Sequence, residues 1–339
     1  MNEFENNPSE LAEISRREEQ EFRMRRFKRG AVVLIALSLL LLLLLLENIA
    51  YDYAFVCRIP RGTTVVDRGS VREHAGIFDF IFKSAWLEKL RPYLLYRHYV
   101  IPPGATEIGA GAFDHCIHMR SIRIPYGVTK IGNYAFGTCL NLREIRIPDS
   151  VEAIDVSAFY NTGLRKIVIP DSVTTIGGRA FDRSPELREI VLPDSLAEID
   201  SDLFFECPNL TDIRIPSGVE IIGSCAFKGC TALKEIDIPS GVTTIGYYAF
   251  SGCTGLETVV LRDGLKEIQQ GAFENCTGLK KIVIPSSVKH IGYQAFHGCS
   301  ALVDIELPPG LKVAPDAFEG SPFQQAAERN GTSPELTQP

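Results

Sequence analysis

The sequence predicts a β-rich solenoid built from 23-residue rungs, preceded by one membrane-spanning helix. Two observations carry that expectation. An Ile-Pro or Leu-Pro step returns at a near-constant interval through most of the 339-residue chain. Ahead of it, a long apolar run follows directly on a basic cluster.

The apolar run comes first in the chain. Ala31 to Leu46 is apolar except for Ser38, and Leu39 to Leu46 is an unbroken run of eight leucines. As a helix, residues 30–51 cover roughly 30 Å, about one hydrocarbon core. Arg23, Arg25, Arg26, Lys28 and Arg29 precede it, while the flank from Glu47 to Asp52 carries no base. The positive-inside rule then makes residues 1–29 a charged cytoplasmic tail. Everything beyond the helix is expected outside the plasma membrane, on a single-pass signal anchor. A cleaved signal peptide is the competing reading. The long charged region before the apolar run and the poor cleavage site at Asn48-Ile49-Ala50 weigh against it.

The tail holds seven acids and seven bases, so the whole formal charge of −7 lies beyond it. An acidic body argues against general nucleic-acid binding.

The repeat organises the rest. Its step falls at Ile101, Ile124, Ile147, Ile169, Leu192, Ile215, Ile238, Leu261, Ile284 and Leu307. Every interval is 23 residues except one of 22, between Ile147 and Ile169. In the unit that starts at Ile238, Pro239 ends a strand because it has no N–H for a ladder. Ser240-Gly241 forms a turn. Val242 and Ile245 face inward, Gly246 permits a tight bend, and Ala249-Phe250 sets a small residue beside a large one. Leu256, Val259 and Leu261 face inward from the next strand. One unit cannot bury its own apolar face, so the units must stack. Residues 52–99 are expected as a juxtamembrane stalk and N-terminal cap, with a helix over about 77–90. Residues 100–323 are expected as the solenoid, closed from Pro315 onward, and 324–339 as a C-terminal tail.

The pattern Ile-Pro-x-x-Val-x-x-Ile-Gly-x-x-Ala-Phe-x-x-Cys-x-x-Leu-x-x-Ile resembles the BspA-type leucine-rich repeat, also called the Treponema pallidum type. That resemblance implies a leucine-rich repeat fold, display at the cell surface and adhesion to proteins of a host or a neighbouring cell. The chain departs from the pattern at single rungs. Arg262 replaces the proline, Thr162 and Ser184 replace the cysteine, and Leu203-Phe204 replaces Ala-Phe.

Seven of the nine cysteines occupy one repeat position: Cys116, Cys139, Cys207, Cys230, Cys253, Cys276 and Cys299. A slot that takes a small, apolar-tolerant side chain explains them, and parallel stacking holds their Cβ atoms slightly too far apart for bridging. A ladder of buried free thiols is expected. Cys225 lies off the ladder. Cys57, in the stalk, is the candidate for a disulfide between two copies, although a thiol buried in the cap is the plainer reading.

No catalytic set is present. G-x-S-x-G, a Walker loop and H-E-x-x-H are all missing. Asp114-His115-Cys116-His118 has the look of a metal cluster, but Cys116 belongs to the ladder and no second cluster completes a tetrahedral set. No enzyme activity, cofactor or metal is expected.

Binding falls to the outward strand positions. Arg120, Arg123, Arg143, Arg146, Arg165, Lys166 and Arg188 gather in the first half of the repeats, with Glu144 and Glu189 as partial offsets. This strip is the expected site for an acidic protein segment or an anionic glycan polymer. A solvated charged face is the plain alternative. Tyr134, Tyr247, Tyr248 and Tyr293, each just past an Ile-Gly step, offer a second surface. A structural or sensory scaffold that signals to a cytoplasmic partner is the alternative function.

Overall fold

A computed structural model describes residues 56–58, 64–67 and 98–330. The expected anchor over 30–51 and the expected helix over 77–90 lie outside the described residues. Among the described residues no helix is long and apolar enough to cross a membrane.

Each rung contributes two short parallel strands, one to each of two faces. The first face is laid down in three sheets. Val56–Arg58, His98–Val100, Ser121–Arg123 and Glu144–Arg146 form one, and Lys166–Val168, Glu189–Val191 and Asp212–Ile213 the next. Glu235–Ile238, Thr258–Leu261, Lys281–Val283 and Asp304–Glu306 form the third. The second face has two sheets, which run from Val65–Val66 to Thr175–Ile176 and from Glu198–Ile199 to Lys312–Val313. Both ladders therefore start ahead of the Ile101-Pro102 step. Cys57 sits in the first strand, in register with Tyr99.

Ten phenylalanines, from Phe113 to Phe318, stack in one interior column at centroid spacings of 5.0–5.8 Å. Parallel rungs place the same side chain one step apart, and offset stacking of flat rings suits that repeat. Tyr99 closes one end edge-on at 77° and Phe323 the other at 70°. The column is loosest at Phe181–Phe204 (5.8 Å) and most tilted at Phe204–Phe227 (26°). Leu203 fills the alanine slot of that rung.

The thiols do more than fill space. Cys139 Sγ donates to Phe113 O at 3.2 Å, and Cys207, Cys230, Cys253, Cys276 and Cys299 repeat the bond to the phenylalanine carbonyl of the rung before. Ser184, standing in for cysteine, donates its hydroxyl to Phe159 O at 3.3 Å and bonds the Thr162 hydroxyl. The slot thus selects a small donor, which satisfies a buried carbonyl. The seven ladder cysteines and Cys225 are free. Burial pushes the Cys207, Cys253 and Cys299 thiols up to about 12.

Two local expectations need correction. Gly246 opens a turn, its carbonyl accepting from Ala249 N at 3.2 Å, but its φ is not positive, so the turn is not what requires glycine. A Cβ there would come within 2.8 Å of Ile222 O and the Gly223 carbonyl carbon, so its role is to let rungs approach closely. The C-terminal stretch is also not simply a tail, because Pro322–Asn330 forms a helix. Ser321 caps it, its hydroxyl accepting from Gln324 N at 3.3 Å, and Pro322 takes the first helical position.

Candidate functional site: the basic half of the first face

The seven basic residues lie on or beside four neighbouring strands. Arg123 and Arg146 are direct register partners. Arg120 and Arg143 are joined by a backbone bond, Arg143 N to Arg120 O, and Arg165 and Arg188 likewise by Arg188 N to Arg165 O. One rung step therefore separates like charges, with no acid between Arg123 and Arg146 in the ladder.

Neutralisation is partial. Lys166 pairs with Glu189, as the sequence suggests. Glu144 has no ion pair among the described residues. Instead Glu186, from the turn before Arg188, lies 3.7 Å from Arg143 Nη1 and 3.4 Å from Arg165 Nε. Arg120, Arg123, Arg146 and Arg188 have no carboxylate within ion-pair distance among the described residues.

The far half of the same face is different. Lys281 reaches both Asp304 and Glu306, and Lys280 reaches Glu257. Arg262 makes a two-bond fork to Asp237, at 2.8 and 2.6 Å. Its hydrogen bonds hold the Asp237 carboxyl below the usual range. Arg262, which breaks the Ile-Pro pattern, thus has a structural use. Unpaired positive charge is concentrated at the near half.

The near half is also where the face breaks. No ladder joins Glu144–Arg146 to Lys166–Val168. A repeat one residue short coincides with this break, whereas the other two breaks fall in full-length repeats. Cys-x-x-Leu becomes Thr162-Gly163-Leu164, one residue fewer, so the chain enters the next strand early. Gly163 is pressed against the rung before, and a Cβ there would overlap the Leu140 carbonyl oxygen. Gly163 N bonds Cys139 O at 3.2 Å, and Arg143 Nη1 bridges to Gly163 O at 3.1 Å.

A cleft of 1080 Å³ opens at this break, lined by Arg143, Arg146, Arg165 and Lys166 among others. Smaller clefts mark the break beyond Asp212–Ile213 and the break on the second face, after Thr175–Ile176. The expected site residues Arg143, Arg146, Arg165 and Lys166 are therefore brought together. Arg120 and Arg123 lie one rung away, Arg188 lies one rung beyond on the other side, and Cys57 is remote from the cleft in sequence and register.

The tyrosines form no single surface. Tyr134, Tyr247 and Tyr293 are exposed, but Tyr248 is half-buried, lies under Lys228 and accepts from Gln270 at 2.9 Å. His115 Nδ1 meets Asp114 at 2.8 Å, while Cys116 is half-buried. Among the described residues no group of three or more His, Cys, Asp and Glu is placed to hold a metal ion.

Stacked short strands, an aromatic column and a charged open face define a leucine-rich repeat solenoid, a class of scaffold that generally binds proteins through its repeats. The family model described as BspA type leucine rich repeat region, in six copies, matches residues 106–234 and 197–324, and the chain belongs to that family. No curated protein matches the chain. Among solved structures, it is similar to a leucine-rich repeat protein from Bacteroides ovatus, at 26% identity and a TM-score of 0.37 over 71% of this chain and 83% of that one. It is similar to a leucine-rich cell surface protein from Faecalibacterium prausnitzii at 26% identity and a TM-score of 0.40, covering 64% and 80%. The leucine-rich repeat protein of Treponema pallidum is 23% identical with a TM-score of 0.39, covering 71% and 85%.

Proposed function

We propose that this chain is a single-pass, membrane-anchored surface protein that binds an acidic macromolecular partner through the basic half of its first face, in adhesion or in protein–protein contact. The carrying observation is the asymmetry of that face. In its far half Arg262, Lys280 and Lys281 are held by acids and only Lys234 is not, while in the near half Arg120, Arg123, Arg146 and Arg188 have no such partner among the described residues. Like charges one rung apart repel, and an external anion relieves that repulsion while gaining long-range attraction. The apolar run over 31–46 and the bases before it support an anchor with its N-terminus in the cytoplasm.

Charge reversal tests the face. Full-length protein in detergent is titrated with fluorescent poly-glutamate. Arg123→Glu, Arg146→Glu and Arg188→Glu together, which break no ion pair within the fold, are expected to weaken binding at least about tenfold. Unchanged binding removes the strip as the site. Protease added to intact cells tests the topology. Digestion of the repeats is expected, and full protection contradicts it.

A further inference from the structure

The break in the first face does something besides gathering charge. The inward isoleucine of this strand column is buried in neighbouring rungs, at Ile122, Ile167, Ile190 and Ile236. At Ile145, beside the break, it is only half-buried. The same loss of cover occurs at Ile213, beside the second break. An incomplete rung contact therefore uncovers core apolar surface at the floor of the cleft. Val168 and Val191 form an apolar wall beside it, 51% and 45% exposed.

The rim is polar and uneven. Arg143, Arg165 and Lys166 stand at the end where the strands start, tempered by Glu186 and Glu189. Arg146 stands at the other end, near Asp149 and Asp171, with Glu144 between. The second break is less basic, with Arg214 set against Glu235 and Asp237.

We infer that the cleft between Glu144–Arg146 and Lys166–Val168 is an anchor pocket for an extended acidic protein segment. An aliphatic side chain of that segment covers Ile145 and packs on Val168 and Val191, and carboxylates on either side of it reach Arg146 and the Arg143–Arg165 end. A glycan polymer matches the charge but has no aliphatic side chain to bury, so the floor favours a polypeptide. The inference rests on the proposed binding role of the basic half and adds to it the chemistry of the ligand.

The test compares synthetic peptides of equal length and charge, one alternating glutamate with leucine and one alternating glutamate with serine, together with heparin. Binding to the full-length protein in detergent is read by fluorescence anisotropy. The leucine peptide is expected to bind about tenfold tighter than the serine peptide, the gain from partly burying one or two aliphatic groups. Inserting one residue between Gly163 and Leu164 restores the full repeat length and is expected to abolish that preference while leaving serine-peptide binding in place. Val168→Ser with Val191→Ser, which leaves the repeat length alone, is expected to reduce the preference too. Equal affinity for both peptides overturns the anchor pocket and leaves the basic face standing. Binding of heparin alone overturns the polypeptide ligand. Binding of none of the three overturns the pocket and the basic face together.

Discussion

Arg143 Nη1 donates to the carbonyl of Gly163 at 3.1 Å, across a turn that is one residue short. A side chain there spans a gap that a backbone bond closes in the next rung, where Glu189 N donates to Arg165 O. Gly163 also lies tight against Leu140, as Gly255 does against Thr231 in a full-length repeat. Gly163→Ala is therefore expected to destabilise the protein by about 2–3 kcal/mol, because the overlap is with rigid backbone. Urea unfolding measures it, and a loss below about 0.5 kcal/mol contradicts the close approach.

The aromatic column predicts a graded response. Phe250 stacks between Phe227 and Phe273 at 5.0 and 5.2 Å and is fully buried. Phe250→Ala is expected to cost about 3–5 kcal/mol, and Phe250→Leu distinctly less, because less volume is lost. Equal costs would argue against ring packing as the source of stability.

The cysteine slot predicts a preference for donors. Cys253→Ser keeps a donor for Phe227 O, while Cys253→Val fills the space and leaves that carbonyl without one. Valine is expected to be worse than serine by about 1 kcal/mol, an unmet buried carbonyl outweighing the gain in apolar volume. Thermal melting of the two variants decides, and the reverse order contradicts the hydrogen-bond role.

Asp182 predicts a pH dependence. Burial pushes its carboxyl up to about 6, although Arg183 and Arg179 draw it down. Its Oδ1 is buried without a hydrogen-bond partner among the described residues. The fold favours the protonated form, so its stabilising contribution is full below the ordinary value of 3.8 and is lost as pH rises through about 6. Asp182→Asn is expected to add about 1–2 kcal/mol at pH 7 and little at pH 4, with solvent screening already allowed for. Denaturation at both pH values checks this, and an equal effect at both contradicts it.

Much of this was legible from the residues. Ile238-Pro239 fixed where strands stop, because proline cannot join a ladder, and Phe113 through Phe318 had to align once rungs stacked in parallel. The basic strip followed from the same register. The break did not follow, because one missing residue between Thr162 and Leu164 gives no hint of whether the chain bulges or the sheet parts. Glu186 was missed because it reaches the strip from a turn, outside the strand columns. The donor role of Cys253 was missed because its acceptor lies one rung away, although hydroxyls at Thr162 and Ser184 were a usable signal. The helix at Pro322–Asn330 was announced by Ser321-Pro322.

Amide hydrogen exchange at Lys166 tests most directly whether the short repeat opens the first face. Glu189 N is bonded to the rung before it, to Arg165 O, whereas Lys166, its counterpart, faces the break. The Lys166 amide is expected to exchange at least about tenfold faster than that of Glu189, and to become protected once a residue is inserted between Gly163 and Leu164. Equal protection of Lys166 and Glu189 in the native chain would mean that the sheet is continuous there and that no cleft exists.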